Sequence, residues 1–360
     1  MEKTMRGILK ELPNDSAIYH EDLPIPVIGD RDVLVRVHAT AICGTDLHIM
    51  HWSQYAEDRL TLPMVFGHEF AGEIVEVGAQ VTGYQIGDRI AGETHIPCNT
   101  CYQCKTGHRH ICENMTIIGV QAPGAFCDYI SVPVECLYKL SDDISYEMGA
   151  MLEPMGVAVH GVTDGEVENQ FVVILGCGPI GLMAVGAAKA LGARQVVAVD
   201  IIPEKLTLAK QMGADHIVNS KNEDLAQLAK SYTNGIGADV VIDYTGSGPA
   251  ISGGFAALRK GGRFVMVGLP GKKVELDLSE CIIYKEATVK GATGRLMYET
   301  WETCAELLSK KLIDLKPVIG GIYPMKDFEK AFDALYSGAP GKMLLIPNFN
   351  GSGVEIWPSF

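Results

Sequence analysis

Four of the ten cysteines in this 360-residue chain stand close together with regular spacing. They are Cys98, Cys101, Cys104 and Cys112, separated by two, two and seven residues. Four thiolates at this spacing suit one tetrahedral Zn²⁺ ion with no open position, which is a structural site. The alternatives are unrelated thiols or redox-active pairs, but the regular gaps within a polar loop favour the metal. The other cysteines, apart from Cys43, are predicted to be small apolar core residues.

A second set of metal-ligating side chains comes from separate segments of the chain. Cys43, His68 and Glu69 offer sulfur, imidazole and carboxylate ligands, and three protein ligands plus water is the open arrangement of catalytic zinc. Each residue alone also fits a core thiol or a buried histidine, but the other two motifs of the chain favour the metal. Because Cys43 and Glu69 already balance the charge of Zn²⁺, we expect Glu153 outside direct coordination or as a transient ligand.

A glycine-rich motif predicts a dinucleotide site. The segment Leu175-Gly176-Cys177-Gly178-Pro179-Ile180-Gly181 follows an apolar strand and opens a helix, and Asp200 stands nineteen residues after Gly181, at the end of the next strand. The glycines let backbone amides approach a pyrophosphate, and Asp200 would bind the adenosine ribose and repel a 2′-phosphate. We therefore expect NAD rather than NADP. The alternative is a tight turn followed by a surface carboxylate.

Two patterns of hydrophobicity predict two domains that position these motifs. Short strands broken by Gly and Pro fill the first 150 residues, which indicates an antiparallel, partly barrel-like β domain. From about residue 170 strands alternate with helices, as in βαβ units with a parallel sheet. The expected strands there are 171–175, 195–199, 217–219, 240–244, 263–267 and 287–291, with helices at 179–191, 204–212, 222–232 and 250–258. Further on we expect helices at 300–311 and 326–336, a strand at 342–346 and an irregular tail at 348–360.

The composition excludes several classes of protein. A hydrophobic content of 47% excludes a disordered chain, and a net charge of −14 argues against binding to nucleic acid or to an anionic membrane. No apolar run approaches the roughly 18–20 residues of a membrane span. No apolar signal core follows the first residues, so a cytoplasmic protein with reduced thiols is expected.

With these motifs in place, the chain resembles the zinc-dependent medium-chain dehydrogenases of the alcohol dehydrogenase superfamily over its full length. Within that superfamily the chain is most similar to the threonine dehydrogenases, in the segments 41–49, 63–69, 92–96 and 294–301. Polyol and butanediol dehydrogenases are the second most similar group. Val157 departs from the threonine dehydrogenases, which have Asn at that position. The pair Ala292-Thr293 also replaces a bulkier pair.

The resemblance implies an α/β fold in which a GroES-like catalytic domain (1–157 and 296–360) carries an inserted Rossmann NAD-binding domain (158–295), with ligands at the carboxyl ends of the sheet strands. It implies two Zn²⁺ ions per chain and oxidation of a secondary alcohol on a small polar substrate, with hydride transfer to NAD. L-Threonine is the first expectation and a polyol, cyclitol or 2,3-butanediol is the second. A homodimer or homotetramer is expected.

The resemblance also assigns roles to single residues. Thr45 and His48 would carry the substrate proton through the cofactor ribose, while Glu153 and His95 would act beside the substrate. Arg295 could pair with the substrate carboxylate or lie near the cofactor or a subunit interface. Further cofactor contacts would come from Lys205, Val267, Gly268, Leu269, Ala292 and Thr293. A non-catalytic, zinc-stabilised nucleotide-binding protein is the alternative from another class, but it would have no use for the pair Thr45 and His48.

Overall fold

The computed structural model describes residues 4–347, and these form two compact units. The first unit contains residues 4–153 and 319–347, and the second is Pro154–Val318. The second unit extends beyond the expected nucleotide-binding domain at 158–295, since it includes the helix at Glu299–Ser309. The tail expected at 348–360 lies outside the described residues.

The first unit begins with short strands and four short helices. The strands are β1 (Thr4–Lys10), β2 (Ile18–Pro24), β3 (Asp32–Ala41), β4 (Met64–Val65), β5 (Glu69–Val77), β6 (Arg89–Gly92), β7 (His95–Ile96), β8 (Thr116–Ile117), β9 (Tyr129–Pro133) and β10 (Leu137–Lys139). The helices are α1 (Gly44–Met50), α2 (Gln54–Glu57), α3 (Tyr102–Lys105) and α4 (Tyr146–Ala150).

Helix α5 (Leu152–Asp164) then leads into the alternating part of the chain. This part contains β11 (Phe171–Leu175), α6 (Pro179–Ala190), β12 (Gln195–Asp200), α7 (Pro203–Gln211), β13 (His216–Asn219), α8 (Leu225–Tyr232), β14 (Ala238–Asp243), α9 (Gly248–Ala257), β15 (Leu258–Met266), β16 (Thr288–Gly291) and α10 (Glu299–Ser309). The chain returns to the first unit with β17 (Ile319–Pro324), α11 (Phe328–Tyr336) and β18 (Lys342–Ile346). Short 3₁₀ turns lie at Arg109–Ile111, Val134–Cys136, Lys316–Val318 and Met325–Asp327, and a π turn lies at Ser279–Ile283.

The second unit is built on a parallel sheet. Within the described residues it has six strands in the order β13-β12-β11-β14-β15-β16, and every neighbouring pair is parallel. All residues of β11 are buried, as expected for a central strand covered on both faces. The expected Rossmann sheet is therefore confirmed, with β16 at its edge. The carboxyl ends of β11, β12, β14 and β15 meet at one edge, where doubly wound sheets bind their ligands.

The main sheet of the first unit is mostly antiparallel, as the sequence predicts. Its order is β10-β6-β5-β3-β18-β17, with β9 also paired to β3, and only β17 and β18 are parallel among the described pairs. Its core contains the aromatic side chains Phe66, Phe126 and Phe332, with Phe66 edge-on to Phe126 at 5.0 Å. Among residues 4–347, no helix is both long and apolar enough to cross a membrane.

Candidate functional site

Cys43, His68 and Glu69 converge in the first unit although they lie on separate segments. Their ligand atoms all lie within 4.8 Å of one another, and His68 and Glu69 are buried. The sheet explains the convergence, because Ala41 at the end of β3 pairs with Glu69 at the start of β5. His68 comes one residue before β5 and Cys43 two residues after β3.

Asp46 fixes two of these segments, and the sequence analysis gave it no role. One of its carboxylate oxygens accepts the backbone N–H of Cys43 at 2.8 Å, and the other lies 3.5 Å from Nδ1 of His68. Asp46 occupies the third position of α1 and is fully buried. An acidic residue three positions after a helix cap is a sequence pattern that could have revealed it. Such partners orient metal-binding histidines in many proteins.

Gly67 is needed where it stands. Its φ is +88°, a left-handed conformation that favours glycine, and a side chain there would overlap the ring of Phe126. The turn brings His68 and Glu69 past this ring and into the cluster.

Lys342 is the second residue that sequence reasoning missed. It lies on β18, is only 4% exposed, and donates to Oε1 of Glu69 at 2.7 Å. Burial acts to lower the pKa of Lys342, but the negative charges of Glu69, Cys43 and Glu153 raise the pKa above its usual value. Burial raises the pKa of Glu69 above its usual value, and Lys342 opposes that rise. The contact of 2.7 Å between these two buried side chains is an ion pair.

The charges around His68 also act in opposite directions. Burial lowers the pKa of His68, whereas Asp46 and Cys43 raise it, and the balance places the pKa well above its usual value. Oε2 of Glu69 has no hydrogen-bond partner among the described residues. This buried carboxylate oxygen receives no hydrogen bond and lies beside a thiol and an imidazole. Oxygen, sulfur and nitrogen ligands in this arrangement suit Zn²⁺.

The remaining sequence-predicted catalytic residues do not belong to this group of ligand atoms. Glu153 is buried, 6% exposed, and does not belong to the group of ligand atoms within 4.8 Å. Thr45 is half-buried and His48 exposed, and both lie on α1 three residues apart, which places them on one face. His95 lies on β7, where its backbone N–H donates to the buried carboxylate of Glu93 at 2.8 Å.

The four clustered cysteines also come together. The sulfur atoms of Cys98, Cys101, Cys104 and Cys112 lie within 4.8 Å of one another. Backbone amides donate to several of these sulfurs, among them Cys98 N–H to Cys112 at 3.2 Å and Cys101 N–H to Cys98 at 3.4 Å. The hydroxyl of Thr100 and nearby amides lower the pKa of Cys98 to about 5. Burial and hydrogen bonds with Cys101 and Cys112 act in the opposite direction on Cys104 and raise its pKa to about 12.

The second unit holds the glycine-rich loop as the motif predicts. Gly176 has φ of +92°, Gly178 caps α6 and Pro179 is its first residue. A side chain at Gly181 would overlap the carbonyl oxygen of Gly176, whereas Gly178 faces open space. Among the described side chains none caps α6. The free amides of its first turn therefore suit a pyrophosphate.

Asp200 lies at the end of β12 beside this loop. Its Oδ2 accepts the N–H of Cys177 at 2.8 Å, and its Oδ1 accepts the N–H groups of Ile201 and Ile202 at 2.7 and 3.0 Å. The carboxylate thus links the glycine-rich loop to the turn after β12. Ile180 in the loop and Lys205 on α7 are both half-buried.

Three further loops meet at this sheet edge, and a buried aspartate that was not expected holds one of them. Asp243 at the end of β14 accepts the N–H groups of Thr245 and Gly246, both at 3.0 Å. Burial raises the pKa of Asp243, and these hydrogen bonds oppose the rise. A side chain at Gly268 would overlap the backbone of Gly246, so the loop with Val267, Gly268 and Leu269 packs closely on this turn.

The loop after β16 carries Ala292, Thr293 and Arg295. Ala292 is 7% exposed and donates its N–H to Met266 O at 2.9 Å, while Thr293 is exposed. Arg295 is 2% exposed and its aliphatic part lies against Gly156 on α5. His160, also on α5, hydrogen-bonds the carbonyl oxygen of Gly294 through Nδ1 at 3.0 Å. Helix α5 therefore supports this loop.

Comparison with known proteins places these two sites in a family. The model of the alcohol dehydrogenase GroES-like domain matches residues 29–142, and the zinc-binding dehydrogenase model matches residues 179–310. The L-threonine 3-dehydrogenase of Bacillus subtilis (strain 168) is 42% identical over 343 residues, which are 95% of this chain and 99% of that protein. This chain belongs to the zinc-binding dehydrogenase family.

Two solved dehydrogenases share the fold over nearly the whole chain. The 2R,3R-butanediol dehydrogenase of Bacillus subtilis is 29% identical with a TM-score of 0.86, covering 96% of this chain and 100% of that chain. An Escherichia coli CFT073 alcohol dehydrogenase solved with NADH is 28% identical with a TM-score of 0.86, covering 96% of this chain and 100% of that chain.

Membership in the zinc-binding dehydrogenases confirms the resemblance, the fold class and the reaction class expected from the sequence. The protein is an NAD-dependent, zinc-containing alcohol dehydrogenase with a GroES-like domain and a Rossmann domain. The donor set at Cys43, the four thiols and the cradle at α6 all fit these groups.

Proposed function

We propose that this protein oxidises L-threonine at its secondary hydroxyl group. The alcohol carbon would give a hydride to NAD⁺ and the hydroxyl proton would leave to solvent, so that 2-amino-3-ketobutyrate and NADH form. The observation that carries the proposal is the 42% identity to an L-threonine 3-dehydrogenase over 99% of that protein's length. The solved butanediol dehydrogenase is 29% identical, so a vicinal diol or polyol is the second candidate.

Cys43, His68 and Glu69 would hold the catalytic zinc. When bound, Zn²⁺ supplies the Lewis acidity that lowers the pKa of an alcohol hydroxyl. Asp46 would orient His68 and the Cys43 backbone toward the ion, as its contacts of 3.5 and 2.8 Å support. Glu153, buried but outside the ligand cluster, would stand beside the site rather than in constant coordination.

Thr45 and His48 would move the substrate proton out of the site. A hydroxyl both donates and accepts a hydrogen bond, so Thr45 can pass a proton on, and imidazole can take it up. The exposure of His48 supports its place at the solvent end of this route, and the half-burial of Thr45 supports the inner place.

Cys98, Cys101, Cys104 and Cys112 would bind a second, structural Zn²⁺ ion, which makes two per chain. A closed set of four sulfurs leaves no position for substrate, so this ion would stabilise its loop alone. Around it, Arg109 hydrogen-bonds Asn99 at 2.9 Å and Glu135 at 3.2 Å, which supports a loop built for order.

NAD would bind at the carboxyl edge of the parallel sheet. Gly176, Gly178, Pro179, Ile180 and Gly181 would form the pyrophosphate cradle, and Asp200 would hold the adenosine ribose. The other contacts that we assign to the cofactor are Lys205, Val267, Gly268, Leu269, Ala292 and Thr293.

Threonine is a zwitterion, so its site must hold an ammonium and a carboxylate beside the reacting hydroxyl. We assign His95 and Glu153 to the substrate. Glu93 is fully buried and holds the backbone of His95, which favours a supporting role for it. Arg295 is 2% exposed against Gly156, which favours a role in shaping the loop after β16 over a contact with the carboxylate.

The protein would act as a homodimer or homotetramer in the cytoplasm. Strand β16 is the edge of the parallel sheet and all four of its residues are exposed. Leu278, Ile283 and Tyr284 nearby in sequence are 58, 63 and 65% exposed. An edge with unpaired backbone groups beside apolar side chains supports pairing with a second copy.

The proposal is tested by NADH formation from L-threonine and NAD⁺ with purified wild-type protein and Cys43→Ala. The wild type should form NADH and the variant should not, while both still bind NADH. Cys281→Ala is the matched control, since Cys281 is half-buried and belongs to neither group of metal-ligating side chains. Equal activity in Cys43→Ala and the wild type would contradict the assigned site.

A further inference from the structure

Lys342 connects two of the three segments that form the candidate catalytic metal centre. Its ammonium donates to Oε1 of Glu69 at 2.7 Å and to the carbonyl oxygen of Ile42 at 3.1 Å. Ile42 directly precedes Cys43 in the chain. Lys342 is 4% exposed and Glu69 is fully buried, so neither charge is screened by water.

Strand register explains how a residue 273 positions away reaches Glu69. Strand β18 pairs with β3 so that Leu344 is opposite Ala41, and Ala41 is in turn opposite Glu69 on β5. The N–H of Ile42 also donates to Met343 O at 2.9 Å. Lys342 therefore stands across from Cys43 at the common end of three neighbouring strands.

This contact leaves the two oxygens of Glu69 in different states. Oε1 is held by the ammonium, whereas Oε2 has no hydrogen-bond partner among the described residues. A carboxylate with both oxygens free can bind a metal through both of them. A carboxylate with one oxygen held by an ammonium presents the other oxygen alone.

We propose that Lys342 is a positioning residue of the metal centre, which makes Glu69 a one-oxygen ligand and so keeps a coordination position open for the alcohol. The inference rests on the proposed function of Cys43, His68 and Glu69. It matters because a catalytic zinc site needs an open position beside its three protein ligands.

The charge of Lys342 also changes the balance of the site. Cys43 as thiolate, Glu69 and Glu153 together carry one negative charge more than Zn²⁺ neutralises. The ammonium of Lys342, 2.7 Å from Oε1 of Glu69, offsets that excess.

The test replaces the metal by Co²⁺ and measures visible absorption in the wild type and in Lys342→Met. Cobalt absorbs more strongly with four ligands than with five. Lys342→Met frees Oε1 of Glu69, so we expect the absorption per cobalt ion to fall as Glu69 binds through both oxygens. Cys43→Ala, treated identically, gives the contribution of the four-thiolate site, which is subtracted. Lys342→Arg keeps the charge and the N–H donors and should restore the wild-type spectrum.

Two outcomes separate this inference from the function on which it rests. A wild-type protein without Cys43-dependent absorption would overturn both. A normal wild-type spectrum that Lys342→Met leaves unchanged would overturn the role of Lys342 alone. In the Glu69→Gln background, Lys342→Met should change nothing further, and a further change would also overturn it. Lys342→Leu, uncharged and without an N–H donor, carries the same prediction if Lys342→Met does not fold.

Discussion

Replacing Asp200 by Ala should weaken NADH binding and relax the preference for NAD over NADP. The carboxylate of Asp200 already accepts three backbone N–H groups, from Cys177, Ile201 and Ile202. A carboxylate offers about four acceptor positions, so the structure leaves room for about one strong hydrogen bond to the ribose. A hydrogen bond to a charged group contributes roughly 1.5–3 kcal/mol. Since a change of about 1.4 kcal/mol in binding free energy corresponds to a tenfold change in a dissociation constant, the dissociation constant for NADH should rise by about 10- to 150-fold.

The assay is titration of NADH fluorescence with wild type and Asp200→Ala, followed by rates with NAD⁺ and NADP⁺. Asp215→Ala is the matched control, because Asp215 also accepts a backbone N–H, that of Val196 at 2.7 Å, but near the amino end of β12. The control should lose stability without changing cofactor affinity. Unchanged affinity and unchanged cofactor preference in Asp200→Ala would refute the assignment of the ribose contact.

Three other outcomes are expected. During dialysis against a chelator, the metal at Cys43 should leave first and the activity should be lost with it, while the metal at the four-thiolate loop stays bound. Metal analysis that finds a single zinc per chain in protein purified under reducing conditions would contradict the assignment of two sites. Val289→Asp on the exposed edge strand should shift the protein toward monomer in sedimentation, and a wild type that is already monomeric at micromolar concentration would exclude pairing through β16. His160→Ala should lower the free energy of unfolding by about 1–3 kcal/mol, measured by urea denaturation, and His160→Asn should lose less because its amide can still donate to Gly294; equal losses would argue against that hydrogen bond.

The Rossmann part of the fold follows closely from local sequence. Strand β11 occupies Phe171–Leu175 as expected, because a continuous apolar run bounded by a glycine turn shows where the strand lies in the sequence. Helix α8 begins at Leu225, later than expected, because Asp224 caps it.

Other elements were missed for identifiable reasons. Strand β17 contains two glycines and a proline in Ile319–Pro324, which do not resemble a strand pattern. Helix α5 begins at Leu152 with Pro154 in its first turn, a position where proline is tolerated but also typical of a break.

The ligands of the candidate site could be recognised from sequence, whereas their supports could not. Cys43, His68 and Glu69 belong to residue types that bind metal, so their chemistry is visible without a structure. Lys342 looks like any surface lysine, and only the pairing of β18 with β3 and of β3 with β5 brings it to Glu69. Asp46 had a local pattern, since it is the third residue of a capped helix, but its proximity to His68 depends on the fold.

The central claim is the substrate, and the most direct measurement is kcat/KM for L-threonine compared with 2,3-butanediol and sorbitol in the same NAD⁺ assay. If Glu153 receives the ammonium of threonine, its buried carboxylate is left unpaired when a neutral diol binds, which costs several kcal/mol. L-Threonine should therefore have the highest kcat/KM of the three. A diol or polyol turned over at least about tenfold more efficiently, a difference of about 1.4 kcal/mol, would contradict the claim.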